Sequence, residues 1–335
     1  MICCETCGKS CKNASAYKKH QERKRPCKPS DISSVRLVPD LTNQVIDSIN
    51  SPLLEEIMLE DRRSPTTHSE RVLQGDSLEI LPTLADNSAQ IVLADPPYNI
   101  GKDFGNDSDR QSMEQYLSWC EKWIQECLRI LRPNGTMFIF GFSENLALIL
   151  SKIPLNIHRR WIVWHYTNKN VPSLHFWQRS HESILILWKD DKVFHRDEVR
   201  EAYTDGFLHG AAGKQRAATQ GRFSKGDKTT TYTAHPQGAL PRDVIKIPAL
   251  AGGAGKKERV DHPTQKPLAL CEQLLKSCKQ DPSQGFVLVP FAGSGSECVA
   301  AKRLHLPFVG IEINPDYVSL IQDRLSNTNT DNVLE

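Results

Sequence analysis

Asp95-Pro96-Pro97-Tyr98 closes a short apolar run, Ile91-Val92-Leu93-Ala94. The run reads as a buried strand, so the four residues stand at a strand's carboxyl end. Two prolines fix the backbone and remove two N–H donors. What remains is a carboxylate, carbonyl acceptors and an aromatic ring, held rigidly. Such a set suits an amino group on a flat heterocycle, with acceptors for its two hydrogens and a ring to stack on. A proline-rich turn with a capping Asp is the alternative reading of the same residues.

Phe291-Ala292-Gly293-Ser294-Gly295 follows a second apolar run, Gly285 to Val289, and leads into helical spacing from Glu297 to Arg303. Glycines there let the backbone approach a ligand, and the helix start offers free N–H groups. The next apolar run, Phe308 to Ile311, ends at Glu312. A carboxylate at that place can accept hydrogen bonds from a ribose diol. Strand, glycine turn, helix, strand and acid together point to a nucleoside cofactor. A tight structural turn is the competing reading. The full dinucleotide fingerprint and a Walker lysine are both missing.

The amino terminus carries a third constellation. Cys4, Cys7, His20 and Cys27 have the spacing of a closed thiolate and imidazole set, which suits structural zinc. Cys3 and Cys11 are rival ligands, and a reactive tail without metal is the alternative. Lys18, Lys19, Arg23, Lys24 and Arg25 on the same unit suit contact with DNA.

These groups need elements to hold them. The chain has 335 residues, 39% hydrophobic and 24% charged, an ordinary globular composition. The length predicts about two domains. No apolar run is long enough to span a membrane, and the first residues show no leader. Five of ten cysteines lie within the first 27 residues. The others, at 120, 127, 271, 278 and 298, read as reduced core residues in a reducing compartment, the cytoplasm. The net charge of +2 hides an uneven distribution. Residues 1–28 carry eight Lys/Arg against two Glu, and residues 195–260 carry twelve against seven acids. The rest of the chain is acidic, so two basic islands sit on an acidic body, an arrangement that suits a polyanion.

From Arg71 onward, short apolar runs alternate with amphipathic ones. Met113 to Leu131 predicts a helix that stops at Arg132-Pro133-Asn134-Gly135, with a strand at 136–140. Further strands are expected at 161–164 and 183–188, and helices at 268–278 and 314–325. This order predicts an α/β fold with a parallel sheet covered on both faces. Three parts follow: a zinc-finger-like module at 1–28, a connector at 29–70 and a catalytic domain at 71–335. Within the last, glycine-rich residues 195–260 read as a loop-rich insert. The tryptophans at 119, 123, 161 and 164 are assigned to the core, and His158, His165, His175 and His181 to the surface or to satisfied core positions.

Asp95-Pro-Pro-Tyr98, Phe291-Ala-Gly-Ser-Gly295 and His262-Pro-Thr-Gln-Lys-Pro267 together resemble the amino-methyltransferases of DNA, which use S-adenosylmethionine to methylate N6 of adenine or N4 of cytosine. The motif order resembles the β-group, and the match runs from about Val72 to Leu325. The resemblance implies a Rossmann-like methyltransferase fold with a mostly parallel sheet. It implies that Asp95 and the Pro96 carbonyl accept the target amino hydrogens, that Pro97 helps fix them, and that Tyr98 stacks on a flipped base. Phe291, Gly293, Ser294 and Gly295 would line the cofactor, with Glu312 on its ribose and Asp76 near its adenine. Thr264 and Lys266 would hold its methionine end. Residues 195–260 match the target recognition region, and 168–173 the segment that supports the flipped base. The partners implied are double-stranded DNA and, as candidates, a cognate restriction endonuclease and a second copy of the chain.

Three positions depart from the family's pattern: Val289 replaces an Asp, Ser296 a Thr, and Tyr166 a Lys. Val289 removes a carboxylate expected near the methionine ammonium. The amino-terminal segment also resembles a classical zinc finger. Asp at position 95 favours adenine. Cytosine N4, a nucleic-acid-binding protein with lapsed transferase activity, and RNA as substrate remain open alternatives.

Overall fold

The computed structural model describes residues 2–3, 10–11, 70–104, 109–168, 174–217, 220–221, 225–226, 228–253 and 255–329. The chain divides into two units, Met1–Pro65 and Thr66–Glu335. In the first, Ile2–Cys3 pairs antiparallel with Ser10–Cys11. The expected zinc ligands Cys4, Cys7, His20 and Cys27 lie outside the described residues.

The second unit is built on an eight-stranded sheet. Its strands are β1 (Arg71–Gln74), β2 (Ala89–Ala94), β3 (Leu131–Gly141), β4 (His158–His165), β5 (His181–Trp188), β8 (Val244–Lys246), β9 (Phe286–Val289) and β10 (Phe308–Glu312). The intervening β6 (Gln215–Ala217) and β7 (Thr229–Thr231) form a separate antiparallel pair. The spatial order is β8-β4-β5-β3-β2-β9-β10-β1. Five of the neighbouring pairs are parallel, and β5 runs antiparallel to both β3 and β4. The sheet is therefore mixed and mostly parallel.

Helices cover both faces. Alternation along β2 explains why all six of its residues are buried. Val92 and Ala94 face a cluster containing Trp123, Ile124 and Cys127 of α2 (Met113–Ile130). Ile91 and Leu93 face the opposite cluster, with Leu270 and Leu274 of α5 (Leu268–Cys278) and Cys298 of α6 (Ser296–Arg303). A strand buried on both sides is apolar wherever a polar side chain lacks partners, and its one polar residue, Gln90, is satisfied by the Gly285 carbonyl and the Gln280 N–H. Two shorter helices, α1 (Ser77–Ile80) and α3 (Ser143–Leu150), follow β1 and β3, and α4 (Asp205–Gly210) lies within 195–260. The last helix is α7 (Pro315–Ser326), capped by Asn314 on the Asp316 N–H.

Two expectations shift. Helix α2 ends before Arg132 as predicted, but β3 begins at Leu131 and passes through the breaker residues. Its register against β2 jumps there, from Ala89↔Leu131 to Ile91↔Thr136. The Pro-Asn-Gly run is thus an irregularity inside a strand rather than a turn before one. Residues 195–260 are not all loop either: β8 lies within them and extends the main sheet beside β4.

Candidate active site

The carboxyl ends of β2 and β9 are neighbours, and each delivers one motif to the same edge of the sheet. Ligands of open α/β sheets bind at that edge. A cavity of about 170 Å³ lies there, lined by Asp95-Pro-Pro-Tyr98, by 290–294 and by Lys266, among others.

Asp95 sits at the centre of a charged cluster. Its carboxylate accepts from Lys266 Nζ at 2.6 Å and from the Tyr98 hydroxyl at 2.8 Å. Glu182, from the start of β5, lies 3.0 Å from the same hydroxyl and 3.5 Å from Lys266 Nζ. Lys266 is 3% exposed. Burial lowers its pKa, but Asp95 and Glu182 outweigh that, and the net shift is upward. Lys266 therefore remains an ammonium. Burial, then Asp95 and Glu182, pushes the Tyr98 hydroxyl upward, so it remains a donor. The Tyr98 ring meets Phe142 edge-on at 5.1 Å, and its backbone carbonyl accepts from Asn145. The Pro97 carbonyl accepts from Tyr116 at 2.9 Å.

The loop after Tyr98 is organised by Asp109, which is 1% exposed. Its carboxylate takes the backbone N–H groups of Asn99, Ile100 and Lys102. Three donors on one buried carboxylate fix the wall that carries Ile100, Lys102 and Phe104 to the cavity.

On the opposite side, the glycine turn is held from both ends. Glu312 Oε2 accepts from the Gly293 N–H at 2.8 Å, and Oε1 accepts from the Asn314 N–H at 2.9 Å. Burial raises the pKa of Glu312. Gly293 has φ +48°, and a Cβ there would lie 3.0 Å from His262 Nε2. Gly295 has φ +75°, and its Cβ would lie 2.8 Å from Ile321. Both positions demand glycine on conformation and on space together. Phe291 packs edge-on against Trp123 at 5.1 Å and against Trp119 at 5.4 Å. Ser77 Oγ donates to the Pro290 carbonyl. Asp76 caps α1 through the Leu78 N–H at 2.8 Å and also lines the cavity.

Comparison with known proteins fits this arrangement. The DNA methylase family, N6_N4_Mtase, matches residues 89–323. The chain belongs to this family. The DNA adenine methyltransferase YhdJ of Escherichia coli (strain K12) is 31% identical over 260 residues, covering 76% of this chain and 82% of the relative. The type II methyltransferase M.HpaI of Haemophilus parainfluenzae is 28% identical over 263 residues, covering 77% and 74%. Among solved structures, the cytosine-N4-specific PvuII DNA methyltransferase superposes with a TM-score of 0.55 at 15% identity, covering 79% and 89%. That likeness is one of fold.

In this DNA methylase, Asp95, Pro96, Pro97, Tyr98, Asp76, Thr264, Lys266, Phe291, Gly293, Ser294 and Glu312 all line one cavity. Gly295 stands just behind it as the left-handed residue before α6. Lys266, expected at the methionine end, makes its closest contact with Asp95. Asn168 is tied by two hydrogen bonds to the backbone of Ala249, at 2.8 and 2.9 Å, while 169–173 lie outside the described residues. Trp119, assigned to the core, packs against it and also reaches the cavity wall. Sequence reasoning missed Glu182, Glu297, Asp109 and His262. None belongs to a short pattern with a chemical meaning of its own, except His262, which opens the His-Pro-Thr-Gln-Lys-Pro segment.

Proposed function

We propose that this chain transfers a methyl group from S-adenosylmethionine to N6 of adenine in DNA. The observation that carries the reading is a single cavity holding the Asp95 cluster on one wall and the glycine turn on the other. The residues fit the cofactor. A nucleoside needs close backbone approach, and Gly293 offers it where a Cβ would crowd His262. It needs an apolar plate, which Phe291 and Trp119 offer, a carboxylate for the ribose hydroxyls, which Glu312 offers, and a polar partner near the adenine, which Asp76 offers. When bound, the cofactor supplies an electrophilic methyl on a sulfonium.

The protein's part is electrostatic and positional. An exocyclic amine is a poor nucleophile because its lone pair is delocalised into the ring. Asp95 and the Pro96 carbonyl accept its two hydrogens and localise that lone pair toward the cofactor side. Lys266 and the Tyr98 hydroxyl fix the Asp95 carboxylate in place. The target atom lies inside the duplex stack, so the base must leave it to reach the cavity.

Adenine is preferred on the Asp at position 95, and the 31% identical relative bears the name of an adenine enzyme. The test is transfer of a labelled methyl group from S-adenosylmethionine to unmethylated DNA, followed by nucleoside mass spectrometry. N6-methyladenine supports the reading; N4-methylcytosine keeps the mechanism and overturns the base; no product with cofactor bound supports a lapsed enzyme. The spacing of Cys4, Cys7, His20 and Cys27 supports a separate proposal of one structural zinc per chain, checked by metal analysis of the wild type against Cys7→Ser.

A further inference from the structure

Glu297 is a buried acid without an assigned task. It is 3% exposed, lies in the first turn of α6 and lines the cavity. The other cavity carboxylates are engaged. Asp95 receives Lys266 and Tyr98, both oxygens of Glu312 receive backbone N–H groups, and Asp76 caps α1. Among the described residues Glu297 has no cation within 4.0 Å. Val289, where the family's pattern has an acid, is fully buried among apolar side chains of the sheet. Eight residues after the end of β9, where that carboxylate is missing, Glu297 brings one to the cavity.

We propose that Glu297 is the counter-charge for the cationic end of S-adenosylmethionine, in place of the acid absent at 289. The proposal rests on the cofactor reading above. Its surroundings suit a group whose ionisation is completed when a cation arrives. Burial is the main influence on Glu297 and raises its pKa to about 7; Asp95 pushes the same way, while Lys266 and Arg324 oppose. Cys271 of α5 and Cys298 of α6 also face it, and burial raises the pKa of both, so they stay neutral thiols. Arg324 is engaged by the Ser294 carbonyl and the Ser296 hydroxyl. Without the cofactor and near neutral pH, Glu297 is therefore partly protonated. Binding of a cation favours the carboxylate, and the proton leaves to solvent.

The test is titration calorimetry of S-adenosylmethionine into the full chain at pH 6.5, in phosphate and in Tris. The two buffers differ in ionisation heat, so the difference in observed heat counts protons released. Wild type is expected to release more than half a proton by the linkage of binding to a group of this pKa, and Glu297→Gln close to none, with roughly tenfold weaker binding at pH 7.5. Equal release and equal affinity in the two proteins would overturn the assignment. Wild type alone gives a second readout that needs no variant. Its affinity should rise roughly tenfold from pH 5.5 to 7 and then level, and a flat profile would also overturn it. Absence of any cofactor binding by wild type would instead sink the underlying reading of the cavity.

Discussion

Asp95 offers the most direct test at the scale of single residues. Asp95→Ala removes the main acceptor but leaves Lys266 with Glu182 at 3.5 Å, so the buried ammonium keeps a counter-charge. Methyl transfer should fall by at least roughly a hundredfold, as for loss of one preorganised electrostatic group. Cofactor affinity, measured by calorimetry, should stay near the wild-type value. His262 gives a pH-dependent prediction. Burial, helped by Lys266 and Arg324, lowers its pKa from 6.5 to about 4. Between those values the unfolded chain binds more protons than the folded one, so stability falls as pH drops from 6.5 to 4. Glu297 has the opposite sign: its raised pKa makes the folded chain bind more protons between 4.5 and 7, so its contribution weakens as pH rises through that window. Thermal unfolding of His262→Gln should therefore lose less Tm than wild type between pH 6.5 and 4.5. Equal losses would show that His262 is not the titrating group. The site residues legible in the sequence were those inside linear motifs, where residue type and spacing both constrain the chemistry. Glu182 and Glu297 were not legible, because each acquires its meaning only when β5 or α6 is laid beside Asp95.

Helix α2 shows how an element braces the site from outside it. Ser112 and Gln115 close its amino end as a capping box, and its buried stripe includes Cys120, Trp123, Ile124, Cys127 and Leu128. Periodicity gave this helix within one residue of its end, because a single apolar face is a local property of the chain. The stripe also passes Tyr116, Trp119 and Trp123 to the Phe291 ring at the start of the glycine turn. Trp123→Ala should cost about 3–5 kcal/mol of stability, since the side chain is fully buried. It should also raise the KM for S-adenosylmethionine, because the turn loses its backing. A loss of stability without any change in KM would mean that Glu312, Ser77 and Trp119 hold the turn without Trp123. The irregular start of β3 was not legible for a related reason. Arg132-Pro-Asn-Gly135 carries a breaker signal, but whether a breaker ends a strand or lies within one depends on the register of β2 beside it. The same holds for β8: three residues, Val244–Lys246, become a strand only because β4 offers a free edge.

Across the whole chain, the charge distribution separates two jobs. The cavity carries more carboxylates than cations, with Lys266 held between Asp95 and Glu182. The basic excess lies instead in 1–28 and 195–260. Within the second island several cations are already paired, Arg200 with Asp197 and Arg242 with Glu201. Lys256, Lys257 and Arg259 lie on the turn that leads into the His262 segment, and none of them forms an ion pair among the described residues. Their position just before the cavity suits contact with the phosphates flanking a base that has entered it. Each phosphate contact steepens the fall of log K with log salt by about 0.9. The triple substitution of Lys256, Lys257 and Arg259 to Gln should therefore weaken DNA binding at low salt and reduce the slope by roughly 2–3. It should leave S-adenosylmethionine affinity unchanged, because none of the three lines the cavity. Fluorescence anisotropy with a labelled duplex at several salt concentrations measures both quantities. An unchanged slope would assign the polyanion contact to other cations of the two islands, and a changed cofactor affinity would show that this turn also shapes the cavity.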